Sequence, residues 1–280
     1  MSDAHKQGVI QYYDTHPINE EQILVKLRAR GDDLNALTQD QLKDFDQDHY
    51  GGVQAVEELA RLARIGVQHH IIDVCSGMGG PARWLAHTTG CRVTGLDFTL
   101  SRVEAARRLT QMTKLDRRVD FVHGDATQMP LPAQQYDVAI SQEAWLHIPD
   151  KAAVIGECAR VLKPGGVLAF TDVVVRNPLS AHEQDRMAHG QRAPDMATVE
   201  RYRDLLARGY TIESVEDLSK QWTNILIARL AMYRSLRDTT VAKFGEARYE
   251  EWDSVYSLFV GLFEAGRLGG VRIVARTEAA

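Results

Sequence analysis

Between residues 69 and 175 the chain repeats one pattern, a short apolar run followed by a turn and a longer amphipathic stretch. HHIIDV (69–74), CRVTGLD (91–97), RVDFVHGD (118–125), YDVAIS (136–141) and VLAFTDVVV (167–175) read as strands. Residues 81–89, 101–115 and 150–162 read as the helices between them. Pro81 suits a first helical turn, where its missing N–H costs nothing, and the Lys163-Pro164-Gly165-Gly166 turn reads as the stop of the third helix. Such alternation folds as parallel strands joined by helical crossovers, with helices on both faces of the sheet. After Arg176 the rhythm changes: 198–208 reads as a helix, YTIESVED (210–217) as a strand, 222–263 as mostly helical and 269–277 as a last strand. The roughly 50 residues between those two strands exceed a plain connection and read as a helical lid. Before the alternation, 20–30 reads as a helix through Ile23, Leu24 and Leu27. A second helix is expected over 53–66, with Val53, Val56, Leu59, Ala60 and Ala63 on one face and Gly66 as its stop.

The chain has 280 residues, 44% hydrophobic and 25% charged, which are ordinary globular values. Its longest apolar stretch, around 166–175, is interrupted by Thr171 and Asp172, far short of the roughly 20 residues of a membrane span. The start, MSDAHKQGVIQYYD, lacks the charged-then-apolar pattern of a secretory signal. Cys75, Cys91 and Cys158 form no CxxC pair, which argues against a disulfide framework and a zinc cage; a cytoplasmic location is expected. Residues 1–50 carry 5 basic and 10 acidic side chains, which equals the whole net charge of −5, so the rest is balanced. With no basic stripe to meet phosphates, the expected partner is a small molecule, with neither nucleic acid nor membrane.

The sharpest motif is Asp73-Val-Cys-Ser76-Gly77-Met-Gly79-Gly80-Pro81-Ala82, after a strand and before a helix. Glycines there permit a tight turn and close approach of a ligand to backbone N–H groups. Asp97 ends the second strand 20 residues after Gly77, where a carboxylate can accept from ribose hydroxyls. Gly77, Gly79 and Ala82 satisfy a dinucleotide fingerprint and fit an S-adenosylmethionine site equally. Asp73 helps to choose, because a carboxylate facing the turn repels a pyrophosphate and favours an ammonium.

Gly124-Asp125-Ala126 follows the third strand, Ser141-Gln142-Glu143-Ala-Trp145-Leu-His147 the fourth, and LKPGG stands at 162–166. Taken in order, these motifs resemble the S-adenosylmethionine-dependent methyltransferases of Rossmann-like fold over roughly residues 45–175. DQDHYGG (46–52), VCSGMGGPARWLA (74–86), SQEAWLHIPDK (141–151), ECARVLKPGG (157–166) and AFTD (169–172) are further similar to the sarcosine/dimethylglycine N-methyltransferase group. Cys75 departs from that group where many members carry glycine; cysteine lacks glycine's freedom at positive φ, so an ordinary backbone is expected there. Gln142-Glu143 departs where betaine-forming members often read Gln-Asp. The resemblance implies a Rossmann-like, mostly parallel seven-stranded α/β sheet with helices on both faces. A helical cover (1–66), a cofactor-binding core (67–217), a helical lid (218–268) and a last strand with tail (269–280) are expected. It implies methyl transfer from S-adenosylmethionine to a small soluble acceptor, an amine on resemblance alone, with S-adenosylhomocysteine as product and no metal. O-, S- or C-methylation stays open, as do a nicotinamide-dependent oxidoreductase and a non-catalytic cofactor-binding protein.

Direct displacement from a sulfonium needs alignment, water exclusion and removal of an acceptor proton. His147, just past the fourth strand, is the candidate base or acceptor contact, against a structural capping role. The cofactor set is Asp73, Ser76, Gly77, Gly79, Asp97, Phe98, Arg102, Asp125, Ala126 and Gln142. Of these, Asp125 is placed at the adenine amino group, Gln142 at the methionine end and Arg102 near the adenosine. Glu143 reads either as a site for a cationic acceptor or as a solvated helix-start carboxylate. Tyr12, Tyr13, His49 and Tyr50 belong to the cover, which in the resembling families folds over the cofactor. There Tyr12 and Tyr13 can close the site. Trp145 and Trp222 complete the acceptor-side candidates. Trp252, Tyr256, Phe259 and Phe263 fall on one helical face, read chiefly as core and secondarily as an acceptor wall or a homodimer contact. His69 and His70 stand at the start of the first strand and are weak evidence for metal.

Overall fold

The structure, a computed structural model, describes residues 3–16 and 18–279. The cover comprises α1 (Asp3–Asp14), α2 (Glu20–Arg30), the short α3 (Gln39–Leu42) and α4 (Gly52–Leu62). Then follow β1 (His70–Val74), α5 (Gly80–Thr89), β2 (Arg92–Asp97), α6 (Leu100–Met112), β3 (Val119–His123), β4 (Tyr136–Gln142), α7 (Lys151–Val161) and β5 (Leu162–Val175). The chain continues through α8 (Ala181–Gly190), α9 (Val199–Leu206), β6 (Tyr210–Asp217), α10 (Ser219–Ser235), α11 (Arg237–Phe244), α12 (Glu246–Glu264) and β7 (Leu268–Thr277). The seven strands form one sheet in the order β3-β2-β1-β4-β5-β7-β6. β1 to β5 run parallel, and β7 inserts between β5 and β6 antiparallel to both.

Local chemistry sets the boundaries. Asn19 caps α2 by accepting from Gln22 N–H, and Gly31 ends it at φ +90°. Asp150 caps α7 through Ala153 N–H at 2.9 Å. Alternation along β1 divides the core: Ile72 and Val74 face the layer packed by α7 and α9, whereas Ile71 faces the layer under α4, α5 and α6. A third cluster, with Trp222, Leu226, Phe259 and Phe263, glues the lid to β5 and β7. Two readings need adjustment. The Lys163–Gly166 turn is an irregularity inside β5, where pairing with β4 jumps from Tyr136↔Leu162 to Val138↔Val167. α8 is an additional helix, opened by a Ser180/Glu183 capping box.

Candidate active site

The carboxyl ends of β1, β2 and β4 open into one cavity, at the point where the strand order turns between β1 and β4. Its floor is the glycine turn. Its roof is α1, residues 46–50 of the cover, and the inner faces of α10 and α12.

The floor follows from the register. Asp73 pairs with Gly95 on β2 and Ile140 on β4, which places its carboxyl at the centre of the sheet's end. Ser76 N–H donates to Leu96 C=O (2.9 Å) and Gly77 N–H to Asp97 Oδ2 (2.8 Å), so the turn is pinned to β2. That pinning drives Cys75 to φ +62°, which corrects the expectation of an ordinary backbone there. A non-glycine residue in this region costs about 1–2 kcal/mol. Gly77, at φ +52°, would point a Cβ into open space. Gly79 does not line the cavity; it is the left-handed N-cap of α5, where a Cβ would meet the Phe121 ring at 2.3 Å. Gly80 would bring one within 2.1 Å of Asp46 C=O, so the cover sits directly on the start of α5. Asp46 and Arg83 form a wholly buried ion pair at 2.9 Å, and Arg83 Nη1 also donates to Met78 C=O (2.7 Å).

Three buried polar atoms on residues that line this cavity have no hydrogen-bond partner among the described residues: Asp73 Oδ2, Ser76 Oγ and Gln142 Oε1. Leaving buried groups unsatisfied costs about 1–3 kcal/mol each, a cost that a ligand reaching them offsets. Burial, then the charge of Asp97, pushes the Asp73 carboxyl up to about 7. Asp97 Oδ1 accepts from Thr99 N–H at 2.8 Å. Phe98, Asp125 and Ala126 line the far end. Asp125 accepts from Thr127 N–H (2.8 Å) and pairs with Lys6 of α1 at 3.0 Å.

Past the carboxyl end of β4, Tyr13 and His147 meet. His147 Nδ1 lies 3.1 Å from Arg192 C=O, which can only accept, so Nδ1 carries the proton. Nε2 is then an acceptor for the Tyr13 hydroxyl at 2.9 Å. Burial pushes the His147 imidazole down to about 4, so it is neutral at pH 7, and raises the Tyr13 phenol well above its usual range. Arg102 donates to Tyr13 C=O (3.0 Å), lies over the Tyr13 ring at 5.2 Å and sits 3.6 Å from Asp48. Tyr12 reaches Gln191 Oε1 at 3.2 Å.

Glu143 is neither solvated nor at a helix start. Its oxygens accept from Thr171 Oγ1 (2.7 Å) and Tyr50 N–H (2.5 Å), so it fastens the cover to β5 while lining the cavity. Burial pushes its carboxyl up to about 7. Trp145 and Trp222 are absent from the lining. Trp145 stacks on Phe170 at 4.3 Å inside the core, and Trp222 packs edge-on to Tyr50 at 5.0 Å, under Gly270. Of the aromatic face on α12, Tyr256 and Phe259 line the cavity, while Phe263 belongs to the lid core.

Sequence reading assigned no site role to Asp46, Asp48, Gln191 or Arg229, which line the cavity together with Tyr233, one of the lid aromatics. Trp222, Leu226, Arg229 and Tyr233 have helical spacing, so one cation on an otherwise apolar inward face was the available signal. Among the described residues no group of three His, Cys, Asp or Glu side chains could hold a metal ion, and no helix is long and apolar enough to cross a membrane.

Residues 72–170 match the family model described as a methyltransferase domain. The sterol 24-C-methyltransferase of Eremothecium gossypii is 33% identical over 79% of this chain and 63% of its own. The sarcosine/dimethylglycine N-methyltransferase of Halorhodospira halochloris is 33% identical over 42% of this chain and 43% of its own. The chain spans about half the length of the curated relatives it matches. Among solved structures, Haemonchus contortus phosphoethanolamine N-methyltransferase 2 in complex with S-adenosyl-L-methionine superposes with a TM-score of 0.75. It is 20% identical, over 96% of this chain and 60% of that one. The [4+2]-cyclase SpnF superposes with a TM-score of 0.71, at 23% identity over 81% and 82%. At these identities the superpositions establish the shared fold.

Proposed function

We propose that the chain, whose residues 72–170 match a methyltransferase-domain model, transfers a methyl group from S-adenosylmethionine to a small-molecule amine held between α1 and the lid. The observation that carries the reading is the trio of unpartnered buried atoms on residues that line the cavity. Asp73 Oδ2 and Gln142 Oε1 are acceptors and Ser76 Oγ is a hydroxyl, a set that suits an ammonium. A pyrophosphate needs donors there and meets a carboxyl instead, which disfavours a nicotinamide dinucleotide. Asp97 keeps lone pairs for ribose hydroxyls beyond those used by Gly77 and Thr99. Phe98, Asp125 and Ala126 supply the adenine end.

When bound, S-adenosylmethionine supplies an electrophilic methyl group on a sulfonium. The protein's own contribution is alignment and proton handling. The Tyr13 hydroxyl gives its proton to the hydrogen bond with neutral His147, so its oxygen is free to accept from an acceptor N–H and aim the nitrogen lone pair. As the nitrogen gains its new bond, its proton passes to Tyr13 while Tyr13 passes its own to His147 Nε2. The depressed basicity of His147 makes this a relay, not a standing reservoir. α1, tied down through Lys6–Asp125 and Arg102–Tyr13, shields the cavity from water.

Calorimetric titration with S-adenosylhomocysteine tests the cofactor. Turnover of a panel of small amines, phenols and thiols with 13C-methyl-labelled S-adenosylmethionine then reports the acceptor atom by the methyl chemical shift. Binding followed by an N-methyl signal is expected; absence of S-adenosylhomocysteine binding overturns the reading. A carbon acceptor is the second reading. The sterol C-methyltransferase relative and the wall of Tyr233, Tyr256 and Phe259, which can stabilise a cation through ring faces, favour it. It predicts a C-methyl signal from an alkene.

A further inference from the structure

The segment carrying His147 is held on both sides by buried polar side chains that do not line the cavity. Leu146 N–H donates to Asp172 Oδ1 at 3.1 Å. Ile148 C=O accepts from Lys151 Nζ at 2.6 Å. The same ammonium donates to Asp195 C=O at 2.6 Å, tying residues 146–148 to residues 192–195. The second of these segments includes Arg192, whose carbonyl accepts from His147 Nδ1–H and whose backbone stands at φ +54°. Tyr202 O–H completes the set, donating to Asp172 Oδ2 at 2.6 Å.

Lys151, Asp172 and Tyr202 are all 0% exposed. Burial lowers the Lys151 ammonium and raises the Asp172 carboxyl to about 6. Removing two charges from water is seldom a route to stability, since apolar side chains of equal volume often do as well or better. Side chains buried only to fasten α7 and β5 to the core would not need to bracket residue 147 at both its neighbours, Leu146 and Ile148. Nor would they need the second bond to the stretch that carries the orienting carbonyl.

We propose that Lys151, with Asp172 and Tyr202, is a positioning device that fixes His147 in its Nδ1–H tautomer, leaving Nε2 to accept from Tyr13. The geometry stands by itself; its consequence for turnover rests on the methyl-transfer reading above. The three residues touch neither cofactor nor acceptor and act through the two segments they join.

The test is 15N NMR of protein labelled at the histidine ring nitrogens, with His147 assigned by difference against His147→Asn. The wild type is expected to show a protonated Nδ1 and a bare Nε2 at His147. Lys151→Met, close in volume but unable to donate, is expected to give mixed tautomers, with S-adenosylhomocysteine affinity within two-fold of wild type. On whichever amine of the panel is turned over, kcat falls about ten-fold with little change in KM for the cofactor. Should Lys151→Met fail to fold, Tyr202→Phe replaces it. That variant keeps the ring packing on Phe170 and takes one hydrogen bond from Asp172, so a smaller shift of the same signals is expected. A folded variant with unchanged His147 signals overturns the proposal, as does a wild type in the opposite tautomer. If the tautomer follows Lys151 but nothing in the panel is methylated, positioning holds and the methyl-transfer reading fails.

Discussion

The Tyr13 hydroxyl of α1 stands 2.9 Å from His147 Nε2, joining residues 134 apart in sequence across the mouth of the cavity. One bond therefore closes the cover and completes the acceptor side. Tyr13→Phe removes the hydroxyl and keeps the ring under Arg102. Its kcat is expected to fall roughly 10²-fold, the low end for a lost proton-handling group. S-adenosylhomocysteine affinity stays near wild type by calorimetry. Because burial holds His147 down at about 4, the kcat profile shows no acid limb near the ordinary histidine value of about 6.5. A limb there that disappears in His147→Asn would show His147 titrating as a free imidazole.

On the same reading, Asp73 is expected to make cofactor binding depend on pH. Its carboxyl is pushed up to about 7, so the ligand-free site is largely protonated below that pH and ionised above it. An ammonium favours the ionised form, so affinity for S-adenosylhomocysteine rises as pH increases through 7 and binding near pH 6.5 releases a proton. Calorimetry in buffers of different ionisation enthalpy reads that release directly. The stability sign is opposite. The folded pKa lies above the unfolded one, so this group costs the ligand-free protein stability progressively as pH rises from about 4 to 7, and fully above. Asp73→Asn is therefore expected to raise Tm at pH 8 by roughly 2–5 °C while removing most cofactor affinity. A lower Tm together with intact affinity would contradict both halves.

What the sequence showed and hid follows from the range of the interactions. Strand–helix alternation, caps such as Asp150 and the glycine turn are local, and they placed Asp73, Asp97 and Gln142 at one end of the sheet. The antiparallel insertion of β7 beside β5 depends on pairings such as Phe170↔Ile273, which no local pattern encodes. Cys75 misled because its left-handed φ is imposed by bonds to Leu96 and Asp97 on the next strand. Trp145 and Trp222 misled because a tryptophan beside a site and one behind it look alike in sequence; packing on Phe170 and Tyr50 separates them. α8 was legible only through Ser180-x-x-Glu183, because Met187 is the single buried apolar side chain along it.

The buried pair Asp46–Arg83 couples the cover to the cofactor floor. Arg83→Met leaves the Asp46 carboxylate without its cation and frees Met78 C=O in the glycine turn. Breaking one partner of such a pair costs about 3–5 kcal/mol. Urea denaturation should show a loss of that order. S-adenosylhomocysteine affinity should fall with it, because the turn loses an anchor. The double variant Asp46→Leu/Arg83→Met, which removes both charges, should recover most of the stability and little of the affinity. Recovery of both would mean that the pair serves the fold alone.

On the methyl-transfer reading, Arg229 is expected to give the acceptor a second contact. Its guanidinium lines the cavity, donates to His49 C=O at 2.8 Å and lies over the Tyr50 ring at 4.8 Å. No carboxylate among the described residues stands within ion-pair distance of it. A cation so placed disfavours a purely cationic acceptor and favours one that carries an anionic group, held by charge-assisted hydrogen bonds. Amines bearing a carboxylate are therefore expected to show lower KM than plain alkylamines of equal length. Arg229→Met should erase that preference, raising KM for the carboxylated amines roughly 10–100-fold, the equivalent of a lost hydrogen bond to a charged group. Cofactor affinity should stay within two-fold, since the contact is to the acceptor. Equal KM values for the two amine classes in the wild type would leave Arg229 as a brace for His49 and Tyr50, and the acceptor without an anionic group.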